Sequence, residues 1–171
     1  MCFYQITAGQ LKQAQGDAEN CEKKLKSGES SAAIKSLLKL ARASIEFARG
    51  NIKDSLSHLK QMVQENPRCP SDIWFGIGLC YYRLGNLPKA KLSMDKTIEL
   101  DPRNSMALTA LGIIEIASNV NDFEVREQAM HYFERAFQAN PRNPLCISYL
   151  AEHYFVKKEY ELTSELCQAG L

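Results

Sequence analysis

The residues of this 171-residue chain that could do chemistry are its three histidines, six cysteines and a glycine pair. His58, His131 and His153 stand far apart, and no H-E-x-x-H spacing joins any two of them. A lone helical histidine reads as a surface or core residue rather than a metal ligand, because a site needs several donors converging. Cys2, Cys21, Cys69, Cys80, Cys146 and Cys167 are scattered without a C-x-x-C pair. The start, Met1 to Ile6, lacks the basic flank, apolar stretch and cleavage site of a secretory leader. The cysteines therefore read as free, mostly buried thiols in a reducing intracellular compartment. Cys80 has no base near it in sequence and reads as structural. Gly76-Ile77-Gly78 is a G-x-G, but it falls inside a helical pattern, where close packing explains it. No phosphate-cradling loop and no G-x-S-x-G elbow is present. The expectation is no catalytic, cofactor-binding or metal-binding residue, and no enzyme.

Charge narrows the remaining classes. Lys plus Arg total 21 and Asp plus Glu 20, a net charge of +1. That balance supplies no basic field for nucleic acid and no polybasic patch for a membrane. No run of 18 apolar residues exists to span a bilayer. The 45% hydrophobic and 24% charged content is that of a globular chain.

The elements that must position any binding residues are punctuated by proline. Asn66-Pro67-Arg68, Asp101-Pro102-Arg103 and Asn140-Pro141-Arg142 each follow a helix-like run, with steps of 35 and 39 residues between prolines. Between Ser71 and Asn104 the chain reads Trp74-x-x-Ile77-Gly78-x-x-Tyr81, then Ala90-x-x-x-Met94-x-x-Thr97, then Pro102. Trp74, Ile77 and Tyr81 share one helix face by their three- and four-residue steps, as do Ala90, Met94 and Ile98. Gly78 and Ala90 are small where two helices are expected to cross. Gly85-Asn86 ends the first helix, Pro88 suits the first turn of the second, and Pro102 stops it. This unit resembles the tetratricopeptide repeat, a helix–turn–helix of about 34 residues.

Leu108, Leu111 and Gly112, then Ala129, Phe133 and Ala136, repeat the pattern up to Pro141. About five extra residues relative to the common period are expected in the turn-rich stretch Ser118–Asp122. A further unit begins near Pro144, with Leu150-Ala151-x-x-Tyr154, and stops inside its second helix. A weaker one runs from Ser36, with Ala43 and Ser55 at the small positions and Gly50-Asn51 at the turn. The expected organisation is a lead-in at 1–35, with a helix over Gln10–Lys26 and a break and cap at Ser27–Ser31. A long helix from about Ser31 to Arg49 and repeats at 36–70, 71–104, 105–143 and 144–171 follow, an excerpt of a longer array. The fold class is all-α, a solenoid of antiparallel helix pairs forming a right-handed superhelix. No period-two strand pattern competes.

In this family the first helix of each pair lines a concave surface. The resemblance places Asp72, Phe75, Leu79, Tyr82 and Arg83 on it, then Met106, Thr109, Ile113 and Ile116, then Leu145, Ser148, Glu152 and Phe155. The set is mostly apolar, with Phe75, Leu79, Tyr82 and Ile113 as candidate anchors for a segment of a partner protein. The alternative is that several of these residues pack against neighbouring repeats.

The stretches Gly76-Ile77-Gly78-Leu79-Cys80-Tyr81-Tyr82-Arg83-Leu84 and Leu150-Ala151-Glu152-His153-Tyr154-Phe155-Val156-Lys157-Lys158-Glu159-Tyr160 carry a narrower resemblance. With Asn66-Pro67-Arg68-Cys69-Pro70, they are similar to the large tetratricopeptide subunits of the polymerase-associated-factor transcription elongation complex. The resemblance implies a nuclear scaffold without cofactors. Its partners would be that complex's other subunits and the RNA polymerase II machinery, with roles in chromatin marking and messenger-RNA maturation and no direct contact with nucleic acid or membrane. A chaperone-tail clamp is a second reading, although Leu40, Ser44, Phe75 and Leu79 stand where its cationic cradle is needed. A scaffold of another assembly, such as a cell-cycle ligase or an RNA-processing factor, is a third.

Overall fold

The computed structural model describes residues 11–26, 32–119 and 122–169. Among them all regular structure is helical: α1 (Leu11–Lys26), α2 (Ala32–Ala48), α3 (Ile52–Glu65), α4 (Ser71–Arg83), α5 (Leu87–Leu100), α6 (Ser105–Ser118), α7 (Phe123–Ala139), α8 (Pro144–Val156) and α9 (Tyr160–Ala169). α1 and α2 match the two helices expected of the N-terminal part. The expected break at Ser27–Ser31 lies outside the described residues. The chain divides after Asn86 into two compact units.

In the first unit α1 packs on α2, α2 on α3 and α3 on α4, with a lighter contact from α2 to α4. Ala43, Leu56, Leu59, Met62, Ile73, Ile77 and Cys80 form its core, with Phe47 and Trp74 half-buried against it. Ser55 shows why this position is small and polar: its buried hydroxyl donates to the Ala43 carbonyl at 2.7 Å and lies 3.6 Å from Cys80 Sγ. The α2–α3 turn closes with the Gly50 N–H on the Phe47 carbonyl and the Asn51 N–H on the Glu46 carbonyl, which demands the left-handed backbone of Gly50, φ 86°. Gly85 closes α4 in the same way. In the second unit the equivalent turn, between α8 and α9, puts Lys158 at φ 64°, a conformation that disfavours a residue with a Cβ.

The second unit packs α5 on α6, α6 on α7, α7 on α8 and α8 on α9. Leu108, Ala129, Phe133, Ala136, Cys146 and Leu150 form its centre. Phe133 stacks on Tyr149 with 4.7 Å between ring centroids and 5° between planes. The tip of the same ring abuts Gly112, where a Cβ would meet Phe133 Cζ at 2.7 Å. The smallness expected of Gly112 therefore has a physical cause: α6 and α7 cross there with an aromatic ring filling the gap.

The turns Asn66-Pro67-Arg68, Asp101-Pro102-Arg103 and Asn140-Pro141-Arg142 share one construction. Asn66 and Asn140 are held extended before proline, and in all three turns the side-chain oxygen of the residue before proline accepts the arginine N–H, at 3.1, 3.3 and 3.1 Å respectively. Asn104 and Asn143 then cap the next helices, α6 and α8, through Ala107 and Cys146 N–H.

The lengthened repeat differs from expectation. First helices begin at Ser71, Ser105 and Pro144, so the steps are 34 and 39 residues. The extra length is not gathered in the loop. Four residues separate α6 from α7, against three between α4 and α5. α6 has 14 residues against 13 for α4, and α7 has 17 against 14 for α5. Four of the five extra residues are thus helix, three of them in α7. The reason is Asp122, whose carboxylate accepts the Glu124 and Val125 N–H groups and starts α7 early.

Candidate partner-binding surfaces

In the first unit an open cleft of about 570 Å³ lies between α2 and α4, based on α3. α4 contributes Asp72, Phe75, Gly76 and Leu79, and α2 contributes Leu37, Leu40, Ser44 and Phe47. Leu59 and Ser55 of α3 reach its base. The wall is apolar apart from two hydroxyls and the exposed Asp72 carboxylate. Gly76 keeps it open, because a Cβ there would already press on Leu59 Cδ1 at 3.1 Å.

Three of the sequence candidates, Asp72, Phe75 and Leu79, are brought together in this cleft. Tyr82 and Arg83 do not line it. The Arg83 guanidinium sits 5.8 Å from the centroid of Phe47, a lining ring, and so stands at the cleft's edge through a cation–π contact. The α2 wall is the part that the α4-centred reading left out. Its signal was present as Leu37, Leu40, Ser44 and Phe47, whose spacing gathers them on one helix face.

The second unit treats its candidates differently. Thr109 is 1% exposed. Its hydroxyl donates to the Ser105 carbonyl at 2.8 Å and accepts from Asn143 Nδ2 at 2.9 Å. It is a buried structural residue, not part of an open surface. Asn143 Nδ2 also reaches Ser105 Oγ at 3.0 Å, and the Ser105 hydroxyl donates to the Ala136 carbonyl at 2.9 Å, so this network pins α6, α7 and the start of α8 together. Ile113 and Ile116 are half-buried against the core, as the packing alternative anticipated. Met106, Leu145, Ser148, Glu152 and Phe155 are exposed. Phe155 meets Tyr160 edge to face, 5.7 Å between centroids.

The candidate chemical residues are placed as follows. The described cysteines are all free, with Cys69, Cys80 and Cys146 buried and Cys21 and Cys167 exposed, while Cys2 lies outside the described residues. Burial pushes the Cys80 thiol up and the Cys146 thiol up to about 11, leaving both protonated and poor nucleophiles at neutral pH. Burial also holds His153 below its ordinary value, reinforced by Lys157. Among the described residues no group of three His, Cys, Asp or Glu side chains could hold a metal ion. No described helix is long and apolar enough to cross a membrane.

Antiparallel helix pairs, left-handed turn residues and small residues at the crossings define a tetratricopeptide-repeat helical solenoid. The tetratricopeptide-repeat family model matches residues 71–104, and the structure of MamA superposes with a TM-score of 0.64 over 99% of this chain and 90% of that one, at 15% identity. The narrower resemblance also holds, for the chain's curated relatives include CTR9 proteins. It is 36% identical to Protein CTR9 homolog of Arabidopsis thaliana over 97% of its own length and 15% of that protein. It is 30% identical to RNA polymerase-associated protein CTR9 of Caenorhabditis elegans over 71% of its own length and 10% of that one. The chain thus spans a small part, 10–15%, of the length of these relatives.

Proposed function

We propose that this chain is a protein-binding scaffold, and that the cleft between α2 and α4 is where a partner's apolar side chains insert. The cleft itself carries the reading: about 570 Å³ of mostly apolar wall, open to solvent, with Leu37 60% exposed at its edge. Solvent-facing apolar surface of that kind is what a docking segment covers. Groove residues Asp72, Phe75 and Leu79 bind the partner, with Arg83 at the edge. In the second unit Met106, Leu145, Ser148, Glu152 and Phe155 are the sequence candidates that remain accessible.

The similarity to CTR9 supports a place in the polymerase-associated-factor complex, in the nucleus, with roles in RNA polymerase II elongation and chromatin modification. The partners are that complex's other subunits, and the chain is not an enzyme. The repeats 36–70, 71–104, 105–143 and 144–171 are the scaffold's modules. A chaperone-tail clamp is disfavoured by the cleft's chemistry. A terminal carboxylate there would face Asp72 and find no lining cation.

Affinity capture from nuclear extract with the 171-residue chain, read by mass spectrometry, tests this. Elongation-complex subunits should be recovered, and Leu37→Glu or Phe75→Ala should release them while helical content is kept. Tyr82→Ala should leave capture intact, since Tyr82 lies outside the cleft. Recovery of heat-shock chaperones in their place, or capture untouched by both cleft variants, refutes the assignment.

A further inference from the structure

The lengthening of α7 has an outcome that repeat packing does not explain. α5 begins three residues before its buried Ala90, whereas α7 begins six residues before the matching Ala129. The added segment is Phe123, Glu124 and Val125, nearly one helical turn, and Asp122 caps it. Phe123 ends up 72% exposed, a large ring held in water by a deliberately started helix.

This segment forms one wall of an open cleft of about 560 Å³ whose other walls come from α5 and α6. Exposed Phe123, Glu124, Glu127 and His131 form the rim. At the base Lys91 pairs with Glu115, whose side chain is 10% exposed. That contact holds the Lys91 ammonium above its ordinary range against the opposing effect of burial. Lys91 is therefore committed to Glu115 and does not offset the rim. Glu127 shares Lys157 at 3.3 Å in a solvent-exposed pair, which is weak and exchangeable. His131 lies 3.9 Å from Glu134, turned to a carboxylate of its own helix.

We propose that this cleft docks an arginine-bearing basic segment of a partner protein, the guanidinium stacking on Phe123 and bridging to Glu124 and Glu127. The two carboxylates stand three residues apart on α7 and so flank one side of the helix. An arginine suits them better than a lysine. Its planar fork hydrogen-bonds carboxylates while its face covers an aromatic ring. The occupant's charge is set by complementarity to the rim, and the exposed ring supplies the apolar contact. This surface lies in the second unit and is opposite in character to the apolar cleft of the first, so it stands or falls separately.

Fluorescence anisotropy of labelled hexa-arginine with the 171-residue chain at low salt tests it, with hexa-lysine and hexa-glutamate for comparison. Hexa-arginine should bind more tightly than hexa-lysine, and hexa-glutamate should not bind. Phe123→Ala and Glu124→Gln should each weaken hexa-arginine about three-fold or more. Phe123→Leu, which keeps bulk without the ring, should weaken it too. Lys157→Gln should strengthen binding, because it removes the cation that competes for Glu127. Amide shifts on titration should centre on residues 123–131. Equal affinity for arginine and lysine peptides combined with indifference to Phe123→Ala overturns the proposal, as do shifts spread over all acidic residues.

Discussion

Replacing Gly112 by alanine separates two effects of opposite sign. In an unobstructed helix the change should stabilise by about 1 kcal/mol, the difference in helix propensity. Here the new methyl group would lie 2.7, 2.8 and 3.0 Å from Cζ, Cε1 and Cε2 of Phe133. Carbon atoms prefer about 3.5–4.0 Å, so the ring must retreat by roughly 1 Å. It has little freedom to do so. The contact is with the ring tip, which rotation about the ring axis leaves in place. The ring is fully buried and its face is held by Tyr149. Overpacking of this kind costs about 1–3 kcal/mol, so after the gain in propensity a net destabilisation of up to about 2 kcal/mol is expected. For a chain of this size that is a fall of up to about 8 °C in Tm. Urea and thermal unfolding followed by far-ultraviolet circular dichroism would measure it. A double-mutant cycle with Phe133→Leu, which withdraws the ring tip, should show a favourable coupling of about 1 kcal/mol or more. A stabilised Gly112→Ala variant, or additivity with Phe133→Leu, would refute the idea that the ring requires glycine at this crossing.

Three further outcomes are expected. Lys158→Gly should stabilise by about 0.5–1 kcal/mol in urea unfolding, since relief of the left-handed backbone exceeds the added freedom of the unfolded chain. Asn143→Ala should lower the urea midpoint by the equivalent of about 2–4 kcal/mol, combining a lost helix cap with buried hydroxyls of Ser105 and Thr109 left without their donor. The folded state holds His153 below its ordinary value of 6.5, so the unfolded chain binds more protons in mildly acidic solution. Stability from this group is therefore complete above pH 6.5 and is lost as the pH falls through the folded value. His153→Gln should flatten the decline between pH 7.5 and 5.5, and an unchanged slope would show that another group governs it.

Much of the fold was legible because its signals are local. Proline after Asn or Asp marks each turn, and glycine at 50 and 85 marks a left-handed close, so helix ends fell where expected. Lys158 occupies the same turn position without a compositional mark, and only its place after α8 gives it away. The core face of α4, Trp74, Ile77 and Tyr81, was legible from its spacing, whereas it was the family resemblance that put Phe75 and Leu79 on the lining side, where the cleft has them. The partner wall on α2 was harder to read, since helix period says which residues share a face but not which face lies opposite. Thr109 shows the same limit from another side. The family resemblance assigns it to the lining, and what covers it is Asn143, 34 residues downstream in a turn. The extension of α7 was hidden because Asn119, Asn121 and Asp122 are all capping types. Asp122 has its carboxylate on the first amides of the helix, and that choice is made by geometry.

The three Asx-Pro-Arg turns carry a consequence for how such a chain can change over generations. Each carries the same bond between residues two apart in sequence. The lengthened repeat still enters a four-residue turn of the same construction and still delivers a capped helix beyond it. These turns behave as delimiters in the written chain. Gains or losses between two of them are confined to the interval in which they arise, so a helix can acquire a new turn, and with it a new surface, while the downstream reading of the structure is left as it was.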